Sequence, residues 1–392
     1  MTPLGDRLGP LVRVRERAVQ RARRVRRERL LPLRPEVVDA VHGHGYLVRP
    51  AGDDGRLPDV VRPWPQRRVG PLSLHLHPRT VCSVAGDGPL RAVLLGHPVD
   101  VDAGLTDGAE IAERVVRDAR THGDRQALGY AAGLGGRWTL LLLHGPDGGH
   151  LTVLPDALAS QPVQWTTDHP GGPVVASAAS LVAGRSSRLG AGQQVGFGPG
   201  GTLVRPAPDP GDGDPDPAGT DAAGADLVGR LSEHLRLLAS WGPPVLTVDG
   251  GTASRLVLEA FARDPVAGAR AITCVTPEQG PSPEVDGMFA ASRSCFEIGL
   301  PHRVLRARPP ARGSAFELIH GTTFPDADPG GTAYALWSQL PHDLVHLHPA
   351  GGPVDPDRPA PEPVRVAQEG DLSHRVLLPY NERAILRLLG RR

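Results

Sequence analysis

Asp249, Gly250, Gly251, Thr252 and Ser254 are the residues of this 392-residue chain whose types and spacing best fit a piece of chemistry, the holding of a phosphate. Two adjacent glycines let a backbone turn sharply and aim successive N–H groups at one point. Thr252 and Ser254 offer hydroxyl donors, and either can cap a helix that follows. A helix N-terminus carries partial positive charge, which favours an anion placed there. Asp249 works against this, because an acid at the same mouth repels phosphate unless Mg²⁺ intervenes.

Such a loop needs a strand before it and a helix after it. Residues 245–248 are an apolar run of the kind a buried parallel strand shows, and Leu256, Val257, Ala260 and Phe261 recur at helical spacing. Residues 271–275 read as the next strand, 284–298 as a helix stopped by Gly299, and 301–305 as a third strand. This β-α-β-α-β rhythm predicts an α/β domain with a parallel sheet over residues 225–392. Leu227, Leu231, Leu235 and Leu238 put a helix over 226–240 before it, and 343–348 is a later strand. Residues 35–205 are strand-rich instead, with strands at 45–48, 72–76, 91–95, 132–144, 151–156, 162–165 and 173–181. One helix, 107–122, turns Ile111, Val115, Val116 and Ala119 inward, and Gly196 to Gly198 fits a closing hairpin. Residues 206–224, rich in Pro, Gly and Asp, read as a linker between the two. Residues 1–34 carry nine arginines from Arg13 to Arg29, with Leu11, Val14, Ala18, Ala22 and Val25 on one face of a thin amphipathic helix. That helix suits a protein partner or an anionic membrane surface, and a solvated charge run fits it equally well. Nucleic acid is the weaker partner class, since the whole chain has a formal net charge of zero.

The loop resembles the pyrophosphate loop of the asparagine synthetase and ATP-pyrophosphatase families, S-G-G-x-D-S, with Asp249 in place of the first serine and Ala253 in place of the aspartate. The ending Ile298-Gly299-Leu300-Pro301-His302 is similar to that family's "L-G-x-x-H", and Pro379, Tyr380, Asn381 and Arg383 match its late "P-F-x-D-x-R" segment in type. The strand elements at 132–144, 151–165 and 173–181 resemble those of class II glutamine amidotransferase domains. The resemblance implies an α+β sandwich similar to the glutaminase domain, followed by an α/β PP-loop domain. In the family, an N-terminal cysteine releases ammonia from glutamine and an ATP–Mg²⁺ site adenylates a carboxylate. Here position 2 is Thr2, the stretch 43–48 carries no cysteine, and Cys82 is the first one met. The glutaminase chemistry is therefore expected to be lost. The implied cofactor pair, ATP with Mg²⁺, has a weakened site: Ala253 cannot hold a metal, and residues 349–357 lack the family's adjacent acid pair.

The expected function is that of a catalytically degenerate asparagine-synthetase-like protein that acts by association in a biosynthetic setting. An active ATP-dependent amide-forming ligase is the alternative, and it requires acids such as Asp249, Glu284, Asp286 or Asp355 to converge. A third reading places the function in residues 1–34, as a membrane- or nucleic-acid-docking helix. The chain has no lysine, which excludes a Walker A lysine and Schiff-base chemistry. Cys82, Cys274 and Cys295 are far apart, so reduced thiols and a cytoplasmic setting, peripheral to a membrane at most, are expected. The pairs His75/His77 and His346/His348, with His342, have metal-ligand spacing, but an alternating strand explains them more simply. Asp53, Asp54, Asp100 and Asp102 read as turn-forming acids, and the acids of 209–216 as solvated linker.

Overall fold

The computed structural model describes residues 35–390 apart from 54, 146–148, 209–222, 277–282, 326, 328 and 355–361, and it also describes Val25, which is helical and exposed. The rest of the basic stretch 1–34, most of the linker, and Asp355 lie outside the described residues.

The first half begins with the short helix α1 (Pro35–Val38). It then runs through β1 (Tyr46–Pro50), β2 (Gln66–Val69), β3 (Leu72–Leu76), β4 (Cys82–Asp87) and β5 (Leu90–Val99). Helices α2 (Gly108–His122) and α3 (Asp124–Gly133) precede β6 (Gly135–His144), β7 (His150–Pro155), β8 (Gln164–Thr166) and β9 (Val174–Ala176). The half closes with β10 (Ser187–Arg188), β11 (Gln193–Gly198) and β12 (Gly201–Pro206). These strands make two antiparallel sheets, ordered β10-β8-β9-β1-β3-β2 and β12-β11-β7-β6-β5-β4. Side chains alternate along each strand, so Tyr46, Val48 and Leu74 of one sheet meet Val93, Leu141 and Val153 of the other in a shared core. The outer face of the second sheet, with Leu94, Trp138, Leu140 and Leu142, carries α2 and α3. Asp107 caps α2 by accepting the Ala109 N–H at 2.8 Å, and Ile111, Val115, Val116 and Ala119 are buried as their spacing predicts.

The strand expected from residue 132 begins later. Ala131 and Ala132 pack into the helical layer, and Leu134 ends α3 by donating its N–H to the Ala131 carbonyl at 3.0 Å. Gly136, at φ +84°, then turns the chain into β6 and lies against the His97 carbonyl where a Cβ would collide.

The second half is built from α4 (Ala223–Leu238), β13 (Pro244–Thr247), α5 (Thr252–Arg263), β14 (Arg270–Val275), α6 (Pro283–Glu297) and β15 (His302–Arg306). It continues with α7 (Ala315–Thr323), α8 (Gly331–Gln339), β16 (Val345–Leu347), α9 (Pro363–Gly370), β17 (Arg375–Leu377) and α10 (Arg383–Gly390). The sheet is parallel throughout, in the order β15-β14-β13-β16-β17. Leu227, Leu231, Leu235 and Leu238 of α4 pack with Leu246, Val257 and Phe261 on one face, while Ala335 and Leu336 of α8 cover Val245, Ile272 and Leu305 on the other. The molecule is thus a mixed α/β protein with an antiparallel two-sheet part followed by a parallel five-stranded part. Among the described residues no helix is long and apolar enough to cross a membrane.

Candidate functional site

The loop 248–251 leaves the C-terminal end of β13 and enters α5. Val248 still pairs with β14, through its N–H to the Ile272 carbonyl at 2.8 Å. Gly250 takes φ +75°, and a Cβ there would sit 2.4 Å from the Gly287 carbonyl of α6. Gly250→Ala is therefore expected to cost about 1–3 kcal/mol of stability, from strain plus a clash with helix backbone. Urea unfolding measures it, and a cost near zero would show that α6 is free to move away.

The N-cap of α5 is Gly251, in extended conformation and without a side-chain cap bond. The expectation that Thr252 or Ser254 caps the helix is corrected: both already lie in its first turn. Thr252 Oγ1 accepts from the Arg255 guanidinium at 3.2 Å. The buried Ser254 hydroxyl donates to Asp249 Oδ1 at 2.6 Å. The same carboxylate oxygen accepts the Gly251 N–H at 2.9 Å. Two donors that an incoming phosphate could use, the Gly251 N–H and the Ser254 hydroxyl, are thus held by the chain's own carboxylate.

The loop sits where the strand order reverses. The chain moves outward from β13 to β15 and then returns to β16 on the other side of β13. Ligands of open α/β sheets bind in the crevice at such a point, outside the strand C-termini. Here Tyr380 fills it. Its side chain is fully buried, its hydroxyl donates to the Ala253 carbonyl at 2.7 Å, and its ring would lie 2.4 Å from a Cβ on Gly352 in the loop after β16.

Behind the loop the strand histidines point inward. His346 Nε2 is 2.5 Å from Thr247 Oγ1, and its Nδ1 is 3.3 Å from His374 Nε2. Burial lowers the pKa of His348 to about 4 and of His374 to about 3, and it holds His346 well below the usual value. These rings are neutral partners in a hydrogen-bonded core. His342 is apart from them, bonded to the Trp337 carbonyl. His75 and His77 are buried in the first half. Among the described residues no group of three or more His, Cys, Asp or Glu is placed to hold a metal ion.

Residues absent from the expected site tie it to the first half. Arg137 of β6 makes a bidentate pair with Asp371, at 2.5 and 2.7 Å. Asn381 donates to the Gly136 carbonyl at 2.6 Å and accepts the Leu158 N–H at 2.9 Å. His234 of α4 accepts the Gly136 N–H and bonds the Pro379 carbonyl at 2.8 Å, an arrangement that requires a neutral ring; burial lowers its pKa to about 4. The buried Asp156 carboxylate gathers the Ser160 and Gln161 N–H groups beside Asn381. Tyr380 thus reaches the loop from a segment, 379–383, whose neighbours bind the antiparallel sheets. The segment's resemblance to a motif singled it out in the sequence, but its role as a clasp depends on contacts more than 200 residues away.

The start of β1, where a nucleophile would stand, is the loop His42-Gly43-His44. Both histidines are left-handed, at φ +56° and +59°, and a Cβ on Gly43 would be 2.2 Å from the Asp371 carbonyl. The cavity beside it, lined by His42, His44, Arg137, Gln161 and Asp371, has a volume of about 30 Å³. That is the scale of a water or two, not of an amino-acid substrate. Of the acids that the ligase reading requires to converge with Asp249, Asp286 lies on the exposed face of α6, and the side chain of Glu284 and all of Asp355 lie outside the described residues. Asp100 does more than shape a turn: it also pairs with Arg114 and accepts the Tyr130 hydroxyl, at 2.9 and 2.8 Å.

No family model matches the chain, and no curated protein matches it. Among solved structures it is similar to a glutamine aminotransferase class-II domain protein from Silicibacter pomeroyi, at 16% identity and a TM-score of 0.29, over 43% of this chain and 97% of that one.

Proposed function

We propose that this chain is a non-catalytic relative of the asparagine synthetase family, with a glutaminase-like sandwich and a PP-loop-like domain, and that it works by association. The observation that carries the proposal is the Asp249 carboxylate, which accepts the Gly251 N–H and the Ser254 hydroxyl and so stands as an internal anion in the phosphate cradle. An external phosphate would have to displace a tethered carboxylate and overcome its charge. Tyr380 in the crevice adds a steric reason. The competing reading, an ATP-dependent amide ligase, has in its favour the position of the loop at the reversal of strand order. It lacks described acids to hold a metal there.

Calorimetric titration of ATP with Mg²⁺ decides between them. The wild-type chain is expected to give no binding heat up to about 1 mM nucleotide. Asp249→Ser removes the internal anion and is expected to bind inorganic pyrophosphate at least about tenfold more tightly than wild type. Micromolar ATP binding by the wild type, abolished by Gly251→Asp, would overturn the non-catalytic reading.

A further inference from the structure

Helix α6 turns its two largest apolar side chains to solvent. Gly287, Ala291 and Cys295 face the sheet. The outward stripe is Asp286, Phe289, Ala290, Arg293, Phe296 and Glu297, all exposed. Phe289 is 63% exposed and Phe296 86%, in a chain with only six phenylalanines. Two large apolar side chains a helical turn or two apart on one solvent face mark an interaction surface rather than chance exposure. Strand β15, the edge of the parallel sheet, carries a further exposed apolar side chain. His302 is 3.0 Å from Ser292 of α6, so Val304, two residues along and on the same face, also lies on the α6 side, and it is 39% exposed.

We propose that this surface is occupied by a second copy of the same chain, with α6 packed antiparallel against its twofold mate. The stripe is self-complementary in one register. Setting Asp286 opposite the partner's Arg293 sets Phe289 opposite the partner's Ala290, and the twofold axis repeats both pairings in reverse. Each phenylalanine then lies over a methyl group, each end of the contact closes with an Asp–Arg pair, and Phe296 reaches over the first turn of the facing helix. The proposal stands apart from the nucleotide question, because none of these residues belongs to the loop.

Sedimentation equilibrium of the full chain over about 1–100 µM tests it. A dimer is expected. Asp286→Arg and Arg293→Asp each place like charges opposite one another and should weaken it about tenfold or more, while the double exchange restores it. Phe289→Glu with Phe296→Glu should leave monomer. All four side chains are exposed, so circular dichroism should show an unchanged fold. A monomer throughout, including one that requires a different protein as partner, overturns the proposal, as does a dimer indifferent to these variants. Failure of the charge exchange to restore the dimer overturns the register.

Discussion

Asp371→Ala is expected to lower the unfolding free energy by about 3–5 kcal/mol. The carboxylate lies between the two halves of the molecule and holds the Arg137 guanidinium through two bonds. Both side chains are below one-tenth exposed, so little water reaches the pair. Removing the acid leaves a guanidinium that cannot lose its proton and that, among the described residues, has only the Ser160 carbonyl, at 3.3 Å, as a further hydrogen-bond partner. The cost is that of a stranded charge rather than the worth of the pair. Burial pushes the Asp371 pKa up even with Arg137 beside it, which shows how large the desolvation is. The double variant Arg137→Met with Asp371→Leu removes both charges and should therefore be less destabilised than either single change. Urea unfolding of the wild type, Arg137→Met, Asp371→Leu and the double variant gives the coupling directly. A cost below about 1 kcal/mol for Asp371→Ala would mean that the interface opens to water and that the two halves are not clasped there.

The parts that were legible in the sequence are those whose signal is local. Val245 on one face and Leu246 and Val248 on the other are apolar because the strand is central and parallel, with Thr247 the one polar side chain among them, and the two glycines that follow break the run at the turn. Helix α2 was readable from four inward positions and one capping aspartate. By contrast β2 is a polar edge strand whose Gln66, Arg67 and Arg68 are exposed, so it has no apolar pattern to find. Helix α3 is rich in alanine and glycine and nearly uniform around its axis. The site shows the same division. The types at 249–254 read as an anion cradle, but the turn of the Asp249 carboxylate onto the Gly251 N–H and the Ser254 hydroxyl depends on one rotamer, and composition does not set a rotamer. The inward-facing histidines were hidden for a related reason. An H-x-H spacing says that both rings share a face, and only packing says that the face is buried.

Acid should unfold this protein near pH 5, well above the range set by carboxylate titration alone. Burial lowers His42, His234 and His348 to about 4 and His44 and His374 to about 3, all from 6.5, with His97 and His346 also well below it. Around them stand His77, Arg79, Arg137 and Arg375, whose positive charges push the same way for His44. A depressed folded pKa means that the unfolded chain takes up the proton first. The stability is therefore complete above about 6.5 and falls as pH drops toward the folded values. Each ring contributes about 1.4 kcal/mol per pH unit in that window. Glu382 opposes the trend, because burial raises it to about 7 despite Arg230, so the folded state holds one proton that the unfolded state lacks. Asp156 and Asp371, also raised, help the folded state only at lower pH. For the five rings lowered to about 3 or 4, less the one proton held by Glu382, the net loss between about pH 6 and pH 5 is about 4–6 kcal/mol, comparable to the whole stability of an ordinary domain. His44→Asn with His374→Asn removes two of the rings, and asparagine tolerates the left-handed backbone at position 44. That variant should unfold at a lower pH than the wild type when both are titrated by circular dichroism. Coincident acid transitions, or a wild-type midpoint below about pH 4, would show that the rings reach water without unfolding.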